Sequence, residues 1–237
     1  MEISKLKYIL IYEDLKKRIR KGEFVIGDLI PSEPELGEHY NASRITVRRA
    51  VQMLVEDGFL QKNHGVGTIV MSNKESLQLR SLKSFSEEQK NSYYSSKVIR
   101  YAIDADATTY IQSMLKVPKE SKISFQEKLY YKDDEVIGLQ RVNFPNYINF
   151  TDQELENEYL SLYKLCEEKG YKVKNAEETI ESVVSDNTLS EYFGIPVGSP
   201  LLHIKRVTID SMNRIVEFAE IYYRGDKYQY KVSLESE

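Results

Sequence analysis

The sequence predicts an α+β protein in two parts, a helical N-terminal domain that ends in a β-hairpin and a larger domain built on an antiparallel sheet. Three observations lead to this fold class. Residues 31–70 carry helix-start signals and then a Gly-x-Gly turn between two short apolar runs. Beyond about residue 91, strand-like segments dominate, and one segment occurs twice. We expect an N-terminal domain over residues 1–72, a linker over 73–91 and a C-terminal domain over 92–237.

The chain opens with a predicted amphipathic helix over residues 5–20. Its apolar residues recur along one side, which is the pattern of a helix packed on a core. Gly22 ends this helix, and basic residues that include Lys16 and Lys17 cluster at its last turn. They complement the helix dipole and are candidates for contacts to nucleic-acid phosphates. A basic helix end that faces only solvent is the alternative.

Two more helices, joined by a tight turn, are predicted between residues 31 and 58. Ser32 and Glu35 have the S-x-x-E spacing of a capping box, so the first of these helices begins at Ser32. An asparagine suits the turn, because its short side chain tolerates a left-handed backbone. Ser43 is a good N-cap for the second helix, and Gly58 is a typical C-terminal stop.

The second of these helices has one apolar and one basic side. Residues at three- and four-residue spacing form the core side: Val47, Ala50, Val51 and Leu54. Four residues lie outside that arc: Arg44, Thr46, Arg48 and Arg49. No acid occurs from His39 to Val55, although a solvated helix face normally mixes both signs. Arginine pairs bidentately with guanine, so the first turn of this helix is predicted to read bases in the DNA major groove. An ordinary solvated face is the alternative.

A hairpin follows, with strands at 59–62 and 68–70 and a tip at 63–67. Glycines at the tip allow positive φ and a close approach of the backbone to DNA. His64 and Gly65 are therefore candidate contacts, and a loop histidine without a role is the alternative. Two helices, a turn and this hairpin form the plan of a winged helix-turn-helix, which predicts binding to double-stranded DNA.

Residues 1–71 resemble the N-terminal domain of the GntR family of bacterial transcription regulators. The resemblance rests on YEDLKKRIRKGEF, IGDLIPSE, SRITVRRA, EDGFL and HGVGT. One position departs from the family, because Pro34 stands where an arginine usually follows P-S-E, and one expected contact is absent. The candidate DNA-binding residues are Ser43, Arg44, Thr46, Arg48, Arg49, His64, Gly65, Lys16 and Lys17.

The C-terminal part contains an internal repeat. The segment MLKVPKESKISFQEKLYYKDDEVIGLQ returns as YFGIPVGSPLLHIKRVTIDSMNRIVEF, which aligns Pro118 with Pro196 and Lys128 with Arg206. Each copy contains a helix end, a long strand, a polar turn and a second strand. We therefore predict a pseudo-symmetric antiparallel sheet with helices on one side.

This part resembles the UTRA ligand-binding domain, whose fold is similar to chorismate lyase, and the whole chain is similar to the HutC subfamily of GntR regulators. The matching pieces are SFSEE near Ser84, the V-P hairpin, SLY at 161–163, AEETIE at 176–181 and the E-x-x-x-x-YYRGD segment that ends at Asp226. In that subfamily a small effector, often a phosphorylated sugar, changes DNA affinity. The resemblance implies an effector site made of Ser86, Lys128, Tyr130, Ser161 and Tyr163 on a phosphate side and of Gln140, Glu217 and Tyr223 on a sugar side.

Three of these positions depart from the sugar-phosphate binders of the subfamily. Lys128 and Tyr130 replace arginines, and Gln140 replaces a common glutamate. One point charge and a hydroxyl would hold a phosphate less firmly than two guanidinium groups. The effector is then a phosphosugar held differently or a less anionic molecule. In the alternative interpretation, Lys128 and Tyr130 face outward and Ser161 is only a helix cap.

Composition sets the cellular context. The net charge of −4 divides into +1 for residues 1–70, with 11 basic and 10 acidic side chains, and −5 for the rest. The acidic part would repel DNA and so orient docking. The single cysteine, Cys166, has no partner for an intrachain disulfide, which suits a reducing cytosol. We find neither a signal peptide nor a long apolar run, so we expect a cytoplasmic protein away from membranes.

Catalysis finds little support, because the known nucleophile, metalloprotease and phosphate-loop motifs are absent from the sequence. We expect no enzyme activity, no cofactor and no metal site. The sequence predicts a homodimeric, effector-responsive transcription regulator, a repressor, that binds a two-fold symmetric operator. A constitutive dimeric DNA-binding protein with a purely structural second domain is one alternative. A lyase-like enzyme is a remote alternative that rests on fold analogy alone.

Overall fold

The computed structural model describes residues 2–78, 94–132 and 134–232 of the chain. It divides into two compact units, residues 1–78 together with 227–237, and residues 79–226. The first unit contains α1 (Glu2–Arg20), α2 (Glu33–His39), α3 (Arg44–Glu56), β1 (Leu60–Asn63), β2 (Gly67–Val70), β3 (Glu75–Gln78) and β10 (Tyr228–Lys231). The second unit contains β4 (Tyr94–Ala105), α4 (Thr109–Leu115), β5 (Ile123–Lys132), β6 (Glu135–Pro145), α5 (Asp152–Glu156), α6 (Leu162–Glu168), β7 (Val173–Val184), α7 (Asn187–Phe193), β8 (Pro200–Asp210) and β9 (Ile215–Arg224).

The helices of the first unit start where the sequence predicts. Ser32 caps α2 in a complete capping box with Glu35, and the Ser43 hydroxyl accepts a hydrogen bond from the Thr46 amide at the start of α3. The predicted apolar faces of α1 and α3 join in one core. Its members from these two helices include Tyr8, Tyr12, Leu15, Ile19, Val47, Ala50, Val51 and Leu54. The packing of α1 on α3 therefore fixes the orientation of the basic side of α3.

The predicted hairpin is present as β1 and β2, which pair antiparallel from Leu60 opposite Val70 to Asn63 opposite Gly67. Gly67 has a φ of +132°, and a Cβ there would lie 2.9 Å from Leu29 Cδ2. Only glycine avoids both the strained backbone and this close contact. The hairpin that forms the wing is thus held against the segment that precedes α2.

The last strand, β10, does not join the large sheet. β10 pairs in parallel with β3, from Tyr228 opposite Glu75 to Lys231 opposite Gln78. The segment predicted as a linker over 73–91 thus contains a strand near its start, and residues 79–93 lie outside the described part of the chain. A local pattern misses this pairing because the two partners are separated by most of the sequence.

The second unit is built on an antiparallel sheet with the strand order β4-β5-β6-β9-β8-β7. This order is symmetric about the central β6–β9 pair. Each half is one β-α-β-β repeat, β4-α4-β5-β6 or β7-α7-β8-β9. The predicted internal repeat is therefore confirmed. Each copy is longer than the predicted segment, because it also contains a first strand and a complete helix. Both repeat helices have a polar N-cap, Thr108 and Asp186, and a left-handed C-cap, Lys116 and Gly194.

The prediction that helices lie on one side of this sheet is wrong. The repeat helices α4 and α7 pack on one face, against clusters that include Phe218 and Leu139. The opposite face is contacted by α5, by α6 and by the loop between them. Tyr163 of α6 donates a hydrogen bond to Glu217, and the Gln126 side chain donates one to the Leu155 carbonyl of α5. Alternate residues of a strand point to opposite faces, so Glu217 and Phe218 belong to different layers. We call the face covered by α5 and α6 the inner face.

Candidate DNA-binding surface and effector site

The basic side of α3 is accessible, as its sequence predicts. Arg44 and Arg48 are exposed, and Ile45 between them exposes 80 % of its surface. Thr46 is half-buried, and its hydroxyl lies 2.8 Å from the Ser43 hydroxyl at the helix cap. The first two turns of α3 therefore present two guanidinium groups beside an apolar side chain, which is a combination that can contact base edges and thymine methyl groups.

Arg48 and one further cation of the predicted set, Arg49, have partners within the unit. Arg49 is exposed, and its guanidinium lies over the Tyr8 ring at 4.0 Å from the centroid. Arg48 Nε donates to Glu33 at 3.0 Å. These contacts are made without DNA, so both side chains have a defined position before any binding event.

The structure contradicts the prediction of Lys16 as a phosphate contact. Lys16 is buried, and its Nζ donates to the Tyr12 hydroxyl at 2.9 Å and lies over the rings of Tyr12 and Phe59. The apolar stem and the two rings of the core hold the ammonium group inside the unit. Lys17, one position further, is exposed and can still reach a phosphate.

The tip of the wing is exposed as predicted. His64 and Gly65 lie in the turn between β1 and β2, and Gly65 has a φ of +76° with open space where a Cβ would be. Val66 beside them is 61 % exposed. The tip thus offers a histidine, bare backbone and an apolar side chain to whatever lies in front of it.

The second set of predicted residues meets on the inner face of the sheet. Lys128 lies opposite Gln140, and Tyr130 lies opposite Gly138. On the neighbouring strand, Tyr223 lies opposite Gly138. Directly opposed residues of antiparallel strands point to the same face, so these side chains form one surface. A Cβ at Gly138 would lie 3.3 Å from the Tyr223 ring, so the ring uses the space that glycine leaves.

The half of the inner face on β5 and β6 is polar and buried. Lys128 is 2 % exposed, and its Nζ donates to the Glu158 carbonyl at 3.2 Å. The Tyr130 hydroxyl donates to Gln140 Oε1 at 2.7 Å. Gln126 Oε1 is buried and accepts no hydrogen bond in the described part of the chain. Burial lowers the pKa of Lys128 to about 8, although nearby Glu158 opposes this shift.

The half on β8 and β9 contains a buried network around Glu217. The Tyr163 hydroxyl, from α6, and the Thr208 hydroxyl both donate to Glu217 Oε1, at 2.8 and 2.9 Å. Arg206 donates to the Tyr163 oxygen at 3.4 Å and pairs with Glu178 at 2.5 Å. Glu217 is fully buried, and that burial raises the pKa of its carboxyl group against the opposing effects of Arg206, Tyr163 and Thr208.

The outward-facing alternative for Lys128 and Tyr130 is wrong, because both are buried on the inner face. Ser161 does cap a helix, since its hydroxyl accepts the Lys164 amide at 3.4 Å at the start of α6. This cap lies two residues before Tyr163, and a serine hydroxyl that caps a helix can still donate its own proton to a ligand. Ser86 lies outside the described residues.

Four residues of the inner face were not predicted from the sequence: Gln126, Glu178, Arg206 and Thr208. One signal for Arg206 was present, because the repeat aligns it with Lys128, which was predicted. The other three required the register of the strands, which places Arg206 opposite Glu178 and Thr208 opposite Glu217.

Within the described ranges, no group of three or more histidine, cysteine, aspartate or glutamate side chains is arranged to hold a metal ion. In the same ranges, no helix combines the length and the apolar character that a membrane crossing requires. An open pocket of about 450 Å³ is lined by residues of α5 and of the segment that follows it, including Glu158, whose carbonyl binds Lys128.

A helix and wing that can contact DNA, and a sheet whose buried face carries donors, acceptors and charges, define the class of a DNA-binding regulator with a sensor domain. Comparison with known proteins identifies the family. Residues 7–70 match the bacterial regulatory proteins of the gntR family, and residues 89–229 match the UTRA domain. The chain therefore belongs to the GntR family of bacterial regulators with a UTRA domain, and the prediction of a transcription regulator rather than an enzyme is confirmed.

Relatives match the chain over nearly its whole length. The HTH-type transcriptional repressor NagR of Bacillus subtilis is 29 % identical over 97 % of both chains. The mannosyl-D-glycerate transport/metabolism system repressor MngR of Escherichia coli is 25 % identical over 94 % of this chain and 93 % of its own length. The crystal structure of PhnF from Mycobacterium smegmatis has a TM-score of 0.65 at 23 % identity, and the match covers 95 % of this chain and 99 % of PhnF. At that identity, the likeness to PhnF supports the fold.

Proposed function

We propose that this protein is a cytoplasmic, homodimeric repressor that binds a two-fold symmetric operator and changes its DNA affinity when a small polyhydroxylated effector binds in the UTRA domain. The relatives NagR and MngR are named as repressors, and they match over almost the full chain. Their names support repression rather than activation as the regulatory effect. A single wing and recognition helix bury little surface, and a dimer doubles it.

On the DNA side, we assign base contacts to Arg44 and Arg48 and backbone contacts to Lys17, His64 and Gly65. The two arginines lie on the accessible first turns of α3, the part of a recognition helix that reaches base edges. We withdraw Lys16 from this set because it is buried. Ser43 and Thr46 lie at the helix cap, where their hydroxyl groups contact each other, and we assign them to phosphate contacts.

On the effector side, the observation that carries the proposal is the buried carboxylate of Glu217. Both protein donors reach the same oxygen, Oε1, and we assign Oε2 to a hydroxyl group of the effector. Carboxylates and amides are the groups that bind sugar hydroxyls, and Gln126 Oε1 offers a second acceptor on the same face.

The charges on the inner face favour an effector with little net charge. Arg206 is offset by Glu178 and Glu217, and the charge of Lys128 is weakened by burial, which lowers its pKa to about 8. A phosphate dianion needs several charged or strong donors. We therefore rank a neutral or monoanionic sugar derivative above a sugar phosphate, which remains the second candidate.

A thermal-shift panel tests the effector proposal. Neutral sugars, sugar acids and sugar phosphates are each added to the purified protein, and the change in Tm is measured. A ligand that binds the native state raises Tm by mass action. We expect the largest shift from a neutral sugar or a sugar acid, and the same compound should release DNA in a gel-shift assay. A shift confined to sugar phosphates would overturn the ranking.

The DNA assignment has its own test. Arg44→Ala should weaken binding to a duplex that the wild type selects from a random library by about 1–3 kcal/mol and relax its base preference. Lys17→Ala should weaken all duplexes about equally and reduce the salt dependence. An unchanged gel shift for Arg44→Ala and Arg48→Ala would overturn the recognition-helix assignment.

A further inference from the structure

One carboxylate joins the recognition helix to the wing. Glu33 is the first residue of α2, and its Oε2 accepts from Arg48 Nε on α3 at 3.0 Å. Its other oxygen, Oε1, accepts from Lys62 Nζ on the wing strand β1, also at 3.0 Å. Arg48 and Lys62 belong to the two elements of the winged helix-turn-helix that face DNA. Glu33 thus fixes their mutual position through two charge-assisted hydrogen bonds.

The three side chains differ in exposure in an informative way. The Glu33 side chain is 24 % exposed, while Arg48 is 65 % exposed and Lys62 is 37 % exposed. Burial would raise the pKa of Glu33, but Lys62 and Arg48 hold it below its ordinary value, so the carboxylate is ionised at neutral pH. The anion is therefore partly covered, and the faces of the two cations remain accessible.

We propose that Glu33 is a positioning residue that sets DNA specificity by holding Arg48 and Lys62 in place and cancelling part of their charge. This inference rests on the proposed assignment of Arg48 to base contacts. Any phosphate attracts a free cation regardless of sequence. A cation that is already paired with Glu33 gains less binding free energy from a phosphate. Arg48 gains more binding free energy where a base offers two acceptors in the right geometry.

The alternative role of Glu33 is purely structural, because an acidic residue in the first turn of a helix stabilises it through the helix dipole. Glu33→Gln separates the two roles. The glutamine keeps the shape of the side chain and removes the charge that both cations share. Glu38→Gln is the matched control, since Glu38 is exposed on the same helix and its loss changes the net charge equally.

The test measures binding to two labelled duplexes of about 30 base pairs, long enough for two half-sites. One is selected by the wild-type protein from a random library, and the other is its scrambled version. For Glu33→Gln we expect up to about tenfold tighter binding to the scrambled duplex at 0.1 M salt and a salt slope steeper by about one. The ratio of the two affinities should fall, whereas Glu38→Gln should leave that ratio unchanged.

Two further variants make the outcome decisive. Glu33→Asp keeps the charge but shortens the side chain, so the salt slope should stay at the wild-type value while the affinity ratio falls. Circular dichroism and Tm of each variant report whether the unit is folded, and Glu33→Asp carries the test if the glutamine variant is not. Equal behaviour of Glu33→Gln and Glu38→Gln would overturn the proposal. An unchanged ratio for Arg48→Ala would instead overturn the assignment of Arg48.

Discussion

The two repeats of the sheet have the same topology but very different inner faces. At matched positions, the first repeat carries Lys128 and Gly138 where the second carries Arg206 and Glu217. The second repeat satisfies its charges internally, because Arg206 has Glu178 and Glu217 nearby. The first repeat leaves Gln126 Oε1 without a partner within the described chain and bonds Lys128 to a backbone carbonyl.

This difference indicates that the two halves have different parts in ligand binding. A network whose charges are already paired is rigid and gives a ligand a fixed point of attachment, whereas an unmet acceptor and a lysine bonded to a backbone carbonyl gain a partner when a ligand arrives. The second repeat is then the anchor of the proposed effector site. The first repeat is where effectors of different charge are distinguished. Four predictions test this comparison, ordered by the size of the expected effect.

Glu217→Ala should have the largest effect. It removes the carboxylate that accepts from the Tyr163 and Thr208 hydroxyls and leaves Arg206 with one carboxylate fewer. We expect a loss of about 3 kcal/mol in the free energy of unfolding and at least a hundredfold weaker effector binding, measured by urea denaturation and calorimetry. Without effector, DNA affinity should stay near the wild-type value. Gln140→Ala in the first repeat should cost clearly less in both measurements, and equal losses would contradict the division into two halves.

Lys128 gives the comparison a pH dependence. Its pKa in the folded protein is about 8, below the ordinary lysine value of 10.5. The unfolded chain therefore binds more protons between about pH 8 and pH 10.5, so the free energy of unfolding attributable to Lys128 rises with pH over that window. At pH 7, Lys128→Met should increase the free energy of unfolding by about 2–3 kcal/mol.

The same residue tests the charge of the effector. Binding of an anionic effector should weaken about tenfold between pH 7 and pH 9 as Lys128 loses its proton, and Lys128→Met should abolish that dependence. Binding of a neutral effector should change little over the same range. Calorimetric titrations at the two pH values distinguish these outcomes, and a pH dependence that persists in Lys128→Met would exclude Lys128 as its cause.

The helix caps should give the smallest effect, and one of similar size in both repeats. Thr108 accepts the Ile111 amide at 3.3 Å, and Asp186 accepts the Leu189 amide at 2.8 Å. Replacing either by alanine should lower the free energy of unfolding by about 1 kcal/mol, somewhat more for Asp186, as seen by urea denaturation. Effector affinity should not change, since α4 and α7 pack on the face opposite the proposed site. A change in affinity would show that the two faces are coupled.

The sequence predicted the parts of this protein that depend on local signals. Ser32 and Ser43 identified their helix starts, and the aligned prolines identified the repeat before any strand order was known. These features are set by neighbouring residues, so a single sequence contains them. The long strands and the exposed tip of the wing were predicted for the same reason.

Features that depend on distant partners were missed. Lys16 has the sequence context of a surface lysine, and only the position of Phe59 shows that it is buried. Glu178 became part of the site through its register with Arg206 on another strand. The side of the sheet on which α5 and α6 pack is likewise set by tertiary packing rather than by their own residues.

The β3–β10 pair changes how the domain order of this chain should be understood. Because one strand precedes residues 79–226 and the other follows them, the sensor is an insertion in a loop of the DNA-binding unit. A chain that ended at residue 72 would lack both strands. A chain that ended at residue 227 would lack β10 and leave the edge of β3 exposed. The natural way to exchange sensors between such regulators is to replace the insert between Gln78 and Lys227, which keeps both flanking strands in place.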